Sequence, residues 1–350
     1  MSTTVDHQEI ETFIRELFVK VGISKQDAGY VAAGLVQASL RGVDSHGIRL
    51  VPHYLNAVTA GRINKTPRYR FEQTAPATGI LDADDAFGHA AGMRAVDHAM
   101  ELAAGTGMGA VTVKRSTHFG AAAFFALEIA KRDMLGFSFT HSDSLIVPTG
   151  SQQRFLGNNP ICFTAPCEDE EPLCLDMATS VITFNKVLQH REEGTQVPAG
   201  VGADAHGIET RDPERIVNLL PVGGYKGYGL SLMVEVLCAL LSGMPFGPHI
   251  PRMYDAPIEA KRNLGHFFMA IDIKTFVAPD QFRTRMQQLA DELRREPAIQ
   301  SETPVMVAGD PEKKIEARRK VEGVPLRPVD VEFFTQASKE YRIPLKIDPR

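Results

Sequence analysis

Hydrophobic residues recur at helical spacing in the first part of the chain. Residues 10–21 carry one apolar stripe, which predicts an amphipathic helix. Ser24 is followed by Asp27, a pattern that resembles a capping box, because a serine hydroxyl can accept a hydrogen bond from an early helical N–H group. We therefore expect a second helix that begins near Ser24 and runs to about Leu40.

A third helix is predicted where a polar cluster gives way to apolar residues. Ser45 is in position to cap this helix, which would continue to about Ala60. Pro52 is then an awkward interior residue, because proline lacks the N–H group that a helix interior needs. The first 65 or so residues are thus expected to be helical.

A change of pattern near residue 70 predicts an α/β layer, because short β-rich runs then alternate with helical stretches. Strands are predicted at residues 79–82, 110–114, 135–140 and 267–273, and helices at residues 88–104 and 120–132. Helical patterns return at residues 279–295, 311–322 and 329–341. The predicted fold is an α/β domain over residues 69–278, flanked by a helical domain built from residues 1–68 and 279–350.

Composition and charge narrow the class of protein. The 350 residues are 43% hydrophobic, which is enough for a large globular core. The formal net charge is -5, so the chain lacks the excess basic charge of a nucleic-acid-binding protein. No apolar run is long enough to cross a membrane and the first residues are polar, so we expect no membrane partner and a cytoplasmic location. The four cysteines have no metal-ligand spacing and are expected to be packing residues.

One strand–helix–strand unit is the most informative local pattern. Its two strands should run parallel and bring His118, Ser142 and Asp143 to the same sheet edge, where α/β proteins usually bind ligands. His118 would start the helix, whose positive end favours neutral imidazole, while a nearby Asp would pull the other way. We therefore expect His118 to titrate near its reference pKa of ~6.5 and to exchange a proton with substrate. A helix cap or a turn-filling role explains the same residue.

A second polar cluster, formed by Asp44, Ser45 and His46, lies at the predicted start of the third helix. Exposed N–H groups at a helix start could hold an anion or a substrate carboxylate. Arg49, one turn later, could form a two-pronged pair with a carboxylate. The same residues fit a helix cap with a bystander histidine and a surface arginine, and both interpretations stay open.

Two glycine-rich stretches have different implications. Residues 220–229 precede an apolar helix, and their glycines together with Lys226 suit a phosphate or a carboxylate, although a tight turn explains them too. This stretch is not a P-loop. Residues 105–109 follow a helix and precede a strand, the reverse of the Rossmann order, so we reject a Rossmann fingerprint there.

Six motifs follow one another along nearly the whole chain. They are Asp44-Ser45-His46-Gly47, Ser116-Thr117-His118-Phe119-Gly120, Gly157-Asn158-Asn159-Pro160, Leu175-Asp176-Met177-Ala178-Thr179-Ser180, Gly224-Tyr225-Lys226-Gly227-Tyr228-Gly229 and Asn263-Leu264-Gly265-His266. As an ordered set they resemble the type-2 malate/L-lactate dehydrogenase family, which includes ureidoglycolate, sulfolactate and diketogulonate oxidoreductases and cyclic-imine reductases.

The resemblance implies an NAD(P)-dependent oxidoreductase with a non-Rossmann, mixed-sheet nicotinamide-binding domain, usually a homodimer, that interconverts a 2-hydroxy acid and a 2-oxo acid. The implied proton-transfer residues are His118, His46 and Asp143, of which we favour His118 for its place at the sheet edge. The implied substrate-binding residues are Ser45, Arg49 and Ser142. The implied cofactor, NAD or NADP, would contact Asn159, Pro160, Asp176, Met177, Ala178, Thr179, Tyr225, Lys226, Gly309 and Asp310. No metal is expected.

The chain also departs from the family pattern. Asn185 stands where relatives often carry glycine, and His141 where many carry asparagine. The arginine expected four positions after the first histidine is Arg49, one position early, so Leu50 occupies the usual place of the carboxylate clamp. The segments that look most like the ureidoglycolate dehydrogenase branch are Ser142-Asp143, Met253-Tyr254-Asp255 and Arg262-Asn263-Leu264-Gly265.

Other functions are alternatives. A cyclic-imine reductase using NADPH would share the fold and the site. A hydrolase would use Ser142, His118 and Asp143, but a GxSxG elbow is absent, and adjacent Ser and Asp side chains cannot easily flank one imidazole. A metal enzyme lacks HExxH or similar spacing. A non-enzymatic binding module is the fourth alternative.

Overall fold

A mixed sheet of seven strands forms the centre of the computed structural model, which describes residues 3–300 and 303–348. The strands are β1 (Thr3–Val5), β2 (Arg70–Ala75), β3 (Thr78–Asp82), β4 (Met108–Ser116), β5 (Met134–Thr140), β6 (Ile161–Ala165), β7 (Leu173–Met177), β8 (Gly202–Ala203), β9 (Glu209–Thr210), β10 (Asn218–Leu219), β11 (Leu264–Asp272) and β12 (Val324–Leu326). The order in the central sheet is β2-β3-β4-β11-β5-β6-β7. The remaining strands form a β1–β12 pair and a small sheet of order β10-β8-β9.

Helices cover this sheet and form a separate layer beside it. They are α1 (His7–Lys20), α2 (Lys25–Leu40), α3 (Val51–Thr59), α4 (Gly88–Thr106), α5 (Ala123–Ala130), α6 (Phe184–Glu193), α7 (Tyr225–Glu235), α8 (Pro279–Arg295), α9 (Asp310–Glu322) and α10 (Pro328–Tyr341). Within residues 3–300 and 303–348, no helix is long and apolar enough to cross a membrane. The elements predicted from hydrophobic periodicity are confirmed, with small shifts at their ends.

The predicted strand–helix–strand unit is confirmed in direction, with one addition. Strands β4 and β5 are parallel to each other, but β11 lies between them and pairs antiparallel with both. His266 of β11 is opposite Val113 on one side and Thr140 on the other. The sheet is therefore mixed, and the carboxyl ends of β4 and β5 still meet at one edge, which carries the turns after Ser116 and Thr140.

The helical layer joins the two ends of the chain. Phe13 of α1 packs edge-on against Phe334 of α10, with ring centroids 5.9 Å apart, and β1 pairs with β12. Helix α8 lies instead against the sheet domain, where Arg283 pairs with Asp133 at 2.5 Å and Arg294 binds Glu170. The α/β fold with a split helical part is thus present, whereas the domain boundaries stay a prediction.

Two local predictions are wrong. The polar cluster after α2 forms two short 3-10 turns, Asp44–His46 and Ile48–Leu50, so the third helix begins only at Val51 and Pro52 falls in its first turn, where a missing N–H group is tolerated. Helix α5 begins at Ala123 instead of residue 120. Consequently Ser45 does not cap a helix and His118 does not start one.

Candidate active site

His118 and Tyr54 form the centre of a polar site at the sheet edge. The Tyr54 hydroxyl lies 2.6 Å from Nδ1 of His118 and is buried on α3. The turn that carries His118 packs against the start of α4, where a Cβ on Gly88 would lie 2.4 Å from the Thr117 carbonyl oxygen and 2.6 Å from that of His118. Thr117 fixes the same turn, because its hydroxyl accepts from the Gly88 N–H group and donates to the Ala86 carbonyl.

His46 lies beside His118 as the sequence predicts for a shared site. The two imidazole rings are stacked, with centroids 5.5 Å apart and an interplanar angle of 25°. The Ser45 hydroxyl is 2.9 Å from Nδ1 of His46, so Ser45 orients this histidine. A Cβ on Gly47 would lie 2.1 Å from the Ser39 hydroxyl, which fixes the 3-10 segment against α2. The structure therefore brings Ser45, His46 and His118 together from two distant segments.

Both histidines favour the neutral form. Burial lowers the pKa of His46, and burial together with the neighbouring His46 and Arg262 lowers the pKa of His118 well below its usual range. The expectation that His118 titrates near ~6.5 is therefore wrong. The cause is desolvation, and the helix that was expected to set its charge begins five residues after His118.

A buried ion pair lies next to this pair of histidines. Arg262 directly precedes β11 and donates from Nη2 to Oδ1 of Asp143 at 2.5 Å. Its side chain is 2% exposed, and neither its Nε nor its Nη1 has a hydrogen-bond partner. Asp143, a predicted proton-transfer residue, is therefore held by a guanidinium. A second arginine, Arg252, has its Nε 4.0 Å from Oδ2 of Asp143.

His53 and Tyr254 complete the aromatic wall of the site. Their rings meet edge to face with centroids 5.0 Å apart. Burial, with Arg62 and then Arg262, lowers the pKa of His53 to about 4. Burial raises the pKa of Tyr54 well above its usual range, so this hydroxyl keeps its proton. The site thus offers neutral imidazoles and a neutral phenol beside cationic arginines.

The predicted cofactor segments also converge. Thr179 lies at their junction: its N–H and hydroxyl both donate to the Asn158 carbonyl, at 2.9 and 2.8 Å, and its own carbonyl accepts from Val222 N–H. Cys174 of β7 donates its N–H group to the carbonyl of Ala308. Segments 157–160, 174–179, 222–226 and 308–310 are therefore neighbours, as a shared ligand would require.

Asp176, Met177 and Ala178 follow β7 on the rim of this junction. The Asp176 carboxylate accepts from the Ala123 N–H group at 2.9 Å, and crowding by protein atoms raises its pKa to about 6, although part of the residue is exposed. Met177 and Ala178 are half-buried. This side of the junction therefore combines a carboxylate with partly open backbone.

A buried network holds Asn159, the residue before Pro160. The Asn159 side chain donates to Oε2 of Glu235 at 2.7 Å and to the Ser231 carbonyl, while its oxygen accepts from the Ser142 N–H group. Asn159 has φ +35°, so this side chain also stabilises an unfavourable backbone conformation. The neighbouring Asn158 has a buried Oδ1 without a hydrogen-bond partner. An N–H donor of a bound nicotinamide fits this orphaned oxygen.

The glycine-rich turn before α7 is open to solvent. Gly223 and Gly224 have φ of +63° and +65°, and Tyr225 and Lys226 at the helix start are exposed, Tyr225 by 68%. At the other end of the junction, Gly309 has φ +97° and lies against Cys174. The carboxylate of Asp310 is fully used, because Arg294 and the Val307 N–H group bind it. Asp310 therefore positions this loop.

Two sequence-based hypotheses have no geometry to support them. Arg49, the predicted carboxylate clamp, lies near Asp44 at 3.7 Å and Asp330 at 3.8 Å. The hydrolase alternative needs a chain from Ser142 through His118 to Asp143, but His118 bonds to Tyr54 and Asp143 to Arg262. Over the two described ranges, no group of three or more His, Cys, Asp or Glu residues is arranged to hold a metal ion.

Three residues of the site received no role from the sequence alone. Tyr54 follows His46 by eight residues and was predicted only as part of a helix. Arg262 was noted only as part of a segment that resembles the ureidoglycolate branch, and Glu235 lies inside an apolar helical stretch, where a lone acidic residue is itself a signal. These three residues are identified by their burial beside His118 and Asn159, and that burial is visible only in the folded structure.

Comparison with known proteins identifies the family. Residues 5–333 match the family model described as malate/L-lactate dehydrogenase. The chain is 38% identical over 300 residues to a malate dehydrogenase of Pyrococcus abyssi (83% of this chain, 82% of the relative) and 34% identical over 322 residues to the ureidoglycolate dehydrogenase (NAD(+)) of Escherichia coli K12 (92% of each chain). The crystal structure of malate dehydrogenase from Entamoeba histolytica superimposes with a TM-score of 0.92 at 29% identity over 99% of both chains. The chain therefore belongs to the malate/L-lactate dehydrogenase family and is a dehydrogenase that acts on CH–OH groups.

Proposed function

We propose that this protein is an NAD(P)-dependent dehydrogenase that interconverts a 2-hydroxy acid and a 2-oxo acid, with His118 as the acid/base residue. The observation that carries the proposal is the 2.6 Å contact between Tyr54 and Nδ1 of His118 at a sheet edge beside the converging segments described above. Family membership supports the reaction class. The polar residues around His118 support the assignment of the proton-transfer group.

The bond to Tyr54 determines which nitrogen of His118 can react. When Nδ1–H donates to the tyrosine oxygen, the neutral ring keeps its lone pair on Nε2. Nε2 then takes the proton from a substrate hydroxyl during oxidation and returns it to the oxo group during reduction. The low pKa of His118 supports a neutral ring that is ready to accept this proton at neutral pH.

The nicotinamide cofactor supplies the hydride acceptor and donor when it is bound. Asn158, Asn159, Asp176 and Thr179 would hold it, since Asn158 has an unsatisfied buried acceptor and Thr179 ties the segments together. Pro160, Met177, Ala178, Tyr225, Lys226 and Gly309 would line the same groove. Ser142 would link this groove to the substrate, because its hydroxyl accepts from the Asn158 N–H group.

A kinetic experiment tests the proposal. Purified protein is assayed for cofactor absorbance change with NADH and with NADPH over a panel of 2-oxo acids, oxalurate and cyclic imine carboxylates. We expect turnover of at least one oxo acid, and a loss of about 10²–10⁴-fold in kcat for His118→Ala with nicotinamide affinity retained. The surface substitution His98→Gln on α4 is the control.

Three results would contradict the proposal. Wild-type turnover in His118→Ala would leave His46 as the proton-transfer residue. Turnover of imines alone would favour the cyclic-imine reductase, and absence of binding to both nicotinamides would favour a non-enzymatic function.

We also infer a homodimer. Helix α7 continues through a π-helical turn, Val236–Leu240, and this stretch carries a row of exposed apolar side chains. They are Leu230, Leu232, Met233, Val236, Leu240 and Leu241, each 39–55% exposed. Several exposed apolar side chains on one helical stretch favour burial against another protein surface, and the family resemblance points to a second copy. The cytoplasmic location expected from the sequence stays a prediction.

A further inference from the structure

The charged side of the site contains more buried positive charge than its carboxylates can balance. Arg62 and Arg262 are each 2% exposed. Arg62 donates from its two terminal nitrogens to the carbonyls of Met253 and Pro257, and no carboxylate among the described residues is in hydrogen-bond contact with it. Within the same part of the chain, only Asp143 is hydrogen-bonded to Arg262. Two buried guanidiniums therefore share a single bonded carboxylate.

The unused donors belong mainly to Arg262. Its Nε and Nη1 are buried and have no hydrogen-bond partner, although a guanidinium has five N–H donors and buried donors are rarely left unpaired. Arg262 also repels Arg62 and contributes to lowering its pKa, after burial itself. A second anion beside Nη1 would satisfy that nitrogen and reduce the repulsion between the two arginines.

The position of Arg262 is rigid and faces the reacting groups. Gly265, three residues later, packs so closely on the π-helical turn that a Cβ there would lie 1.9 Å from the Cys238 carbonyl oxygen. Leu264, two residues after Arg262, pairs with Ser116, two residues before His118, so Arg262 and His118 adjoin neighbouring ends of β11 and β4. The charge of Arg262 also contributes to the low pKa values of His118 and His53. A substrate held by Arg262 would thus have its neighbouring carbon close to His118.

Arg49 does not compete for this role on geometry. Its guanidinium lies near Asp44 and Asp330, so two carboxylates already surround it, and it is 30% exposed. A carboxylate that approached Arg49 would meet those two negative charges in a partly solvated setting. Arg262 offers the opposite conditions, with burial, free donors and a nearby excess of positive charge.

We propose that Arg262 is the substrate-binding residue that holds the carboxylate of the 2-hydroxy or 2-oxo acid, through its free Nη1 donor and the second N–H group of Nη2. This inference rests on the proposed function. The two terminal nitrogens present a planar two-donor edge, the arrangement that matches both oxygens of a carboxylate, and Nη2 carries a second N–H group besides the one bonded to Asp143. Asp143, bonded to Nη2, holds the guanidinium in that orientation.

Steady-state kinetics with a charged and an uncharged substrate test the role of Arg262. The wild type, Arg262→Lys, Arg262→Gln and the exposed control Arg318→Gln are assayed with the preferred 2-oxo acid and with its methyl ester. For Arg262→Gln we expect the KM of the acid to rise roughly 10- to 100-fold, the KM of the ester to change far less, and nicotinamide affinity to stay constant. Arg262→Lys should recover part of the loss, since it keeps the charge without the fork.

A double variant separates binding from damage to the ion pair. Arg262→Gln leaves Asp143 buried without its partner, which by itself destabilises the site. Arg262→Gln combined with Asp143→Asn removes both charges, and the ratio of acid to ester KM should stay raised. If the ratio of acid to ester KM returns to the wild-type value, Arg262 is only structural and the proposal is wrong. The same conclusion follows if the KM values of acid and ester rise equally in every variant.

Calorimetry keeps this inference distinct from the proposed function. If the wild type reduces no oxo acid at all, the proposed function fails, and titration of the oxo acid into wild type and Arg262→Gln still measures the carboxylate contact. Equal affinities in that titration would overturn the role of Arg262. If Arg49→Gln raised the KM of the acid more than Arg262→Gln, the carboxylate would belong to Arg49.

Discussion

Gly265 donates its backbone N–H group to Nε2 of His141 at 2.8 Å, and the buried Glu235 carboxylate lies 3.7 Å from Nδ1 of the same ring. Because Nε2 accepts a hydrogen bond, the neutral ring carries its proton on Nδ1, on the side of Glu235. The other Glu235 oxygen accepts from Asn159. One carboxylate therefore connects β11, the turn after β5 and the segment around Asn159.

Glu235→Gln should destabilise the protein and weaken nicotinamide binding. In the native protein the two oxygens of Glu235 accept from the Asn159 side chain and from the Gly247 N–H group. A glutamine at this position has only one acceptor oxygen, so one of these two donors would face the glutamine NH₂ group and lose its hydrogen bond. We expect a loss of about 1–3 kcal/mol in the free energy of unfolding, measured by urea denaturation, and a raised Kd for NADH. Glu292→Gln on the exposed face of α8 is the control, and equal stability of the two variants would contradict the network.

Tyr54→Phe should reduce kcat about tenfold without unfolding the protein. The substitution removes the hydrogen bond to Nδ1 of His118 and keeps the ring, and a bond worth about 1.4 kcal/mol in the transition state corresponds to a factor of ten. Steady-state kinetics against Tyr30→Phe, a tyrosine on α2, provide the measurement. An unchanged kcat would mean that Tyr54 does not orient the reacting ring.

Stability should fall as the pH is lowered below ~6.5, the reference pKa of histidine in an unfolded chain. Burial lowers the pKa of His89 and of His266 to about 3, so between these values the unfolded state binds more protons than the folded one. Each ring then reduces stability by about 1.4 kcal/mol per pH unit. Asp176, with its pKa raised to about 6, acts in the opposite direction and offsets part of the loss.

Urea denaturation at pH 7.5 and pH 5.5 measures this dependence of stability on pH. We expect the higher free energy of unfolding at pH 7.5. A flat or inverted dependence would show that His89 and His266 take up protons in the folded state.

Gly88→Ala should reduce both activity and stability. A Cβ at this position would lie 2.4 Å from the Thr117 carbonyl and would push the turn that carries His118 away from α4. Gly29→Ala is a matched helical control, because nothing lies within 4 Å of its Cβ and alanine favours the helix by about 1 kcal/mol. The midpoint of thermal unfolding should therefore fall for Gly88→Ala and rise for Gly29→Ala. Only Gly88→Ala should reduce kcat.

Leu240→Glu should convert a dimer into a monomer. A charge in the apolar surface of α7 and its π-helical turn would be buried without a partner in the proposed interface. Sedimentation velocity of the wild type, Leu240→Glu and Ile299→Glu, a control at an isolated exposed residue, makes the comparison. A monomeric wild type would refute the homodimer.

Local patterns predicted much of this architecture correctly. The helix over residues 279–295 and the strands around residues 110–114 and 135–140 were readable because one face of each is apolar at a fixed period. The common edge for His118 and Asp143 followed from the chirality of a strand–helix–strand unit. The start of α5 and the cap by Ser45 were wrong, because an extended turn held by Gly88 and a 3-10 segment held by Ser39 replace the expected helical ends.

The amino-acid sequence by itself determined the α/β class, the order of the main elements, the family and the set of segments that meet at the site, since these depend on periodicity and on ordered motifs. Only the tertiary structure decided the protonation state and the bonding partners of the side chains at the site. Burial and partners that are distant in the chain set the charge of His118 and the free donors of Arg262. They also place Arg49 beside the carboxylate of Asp330. Desolvation and pairing are properties of a folded neighbourhood, and no local spacing encodes them.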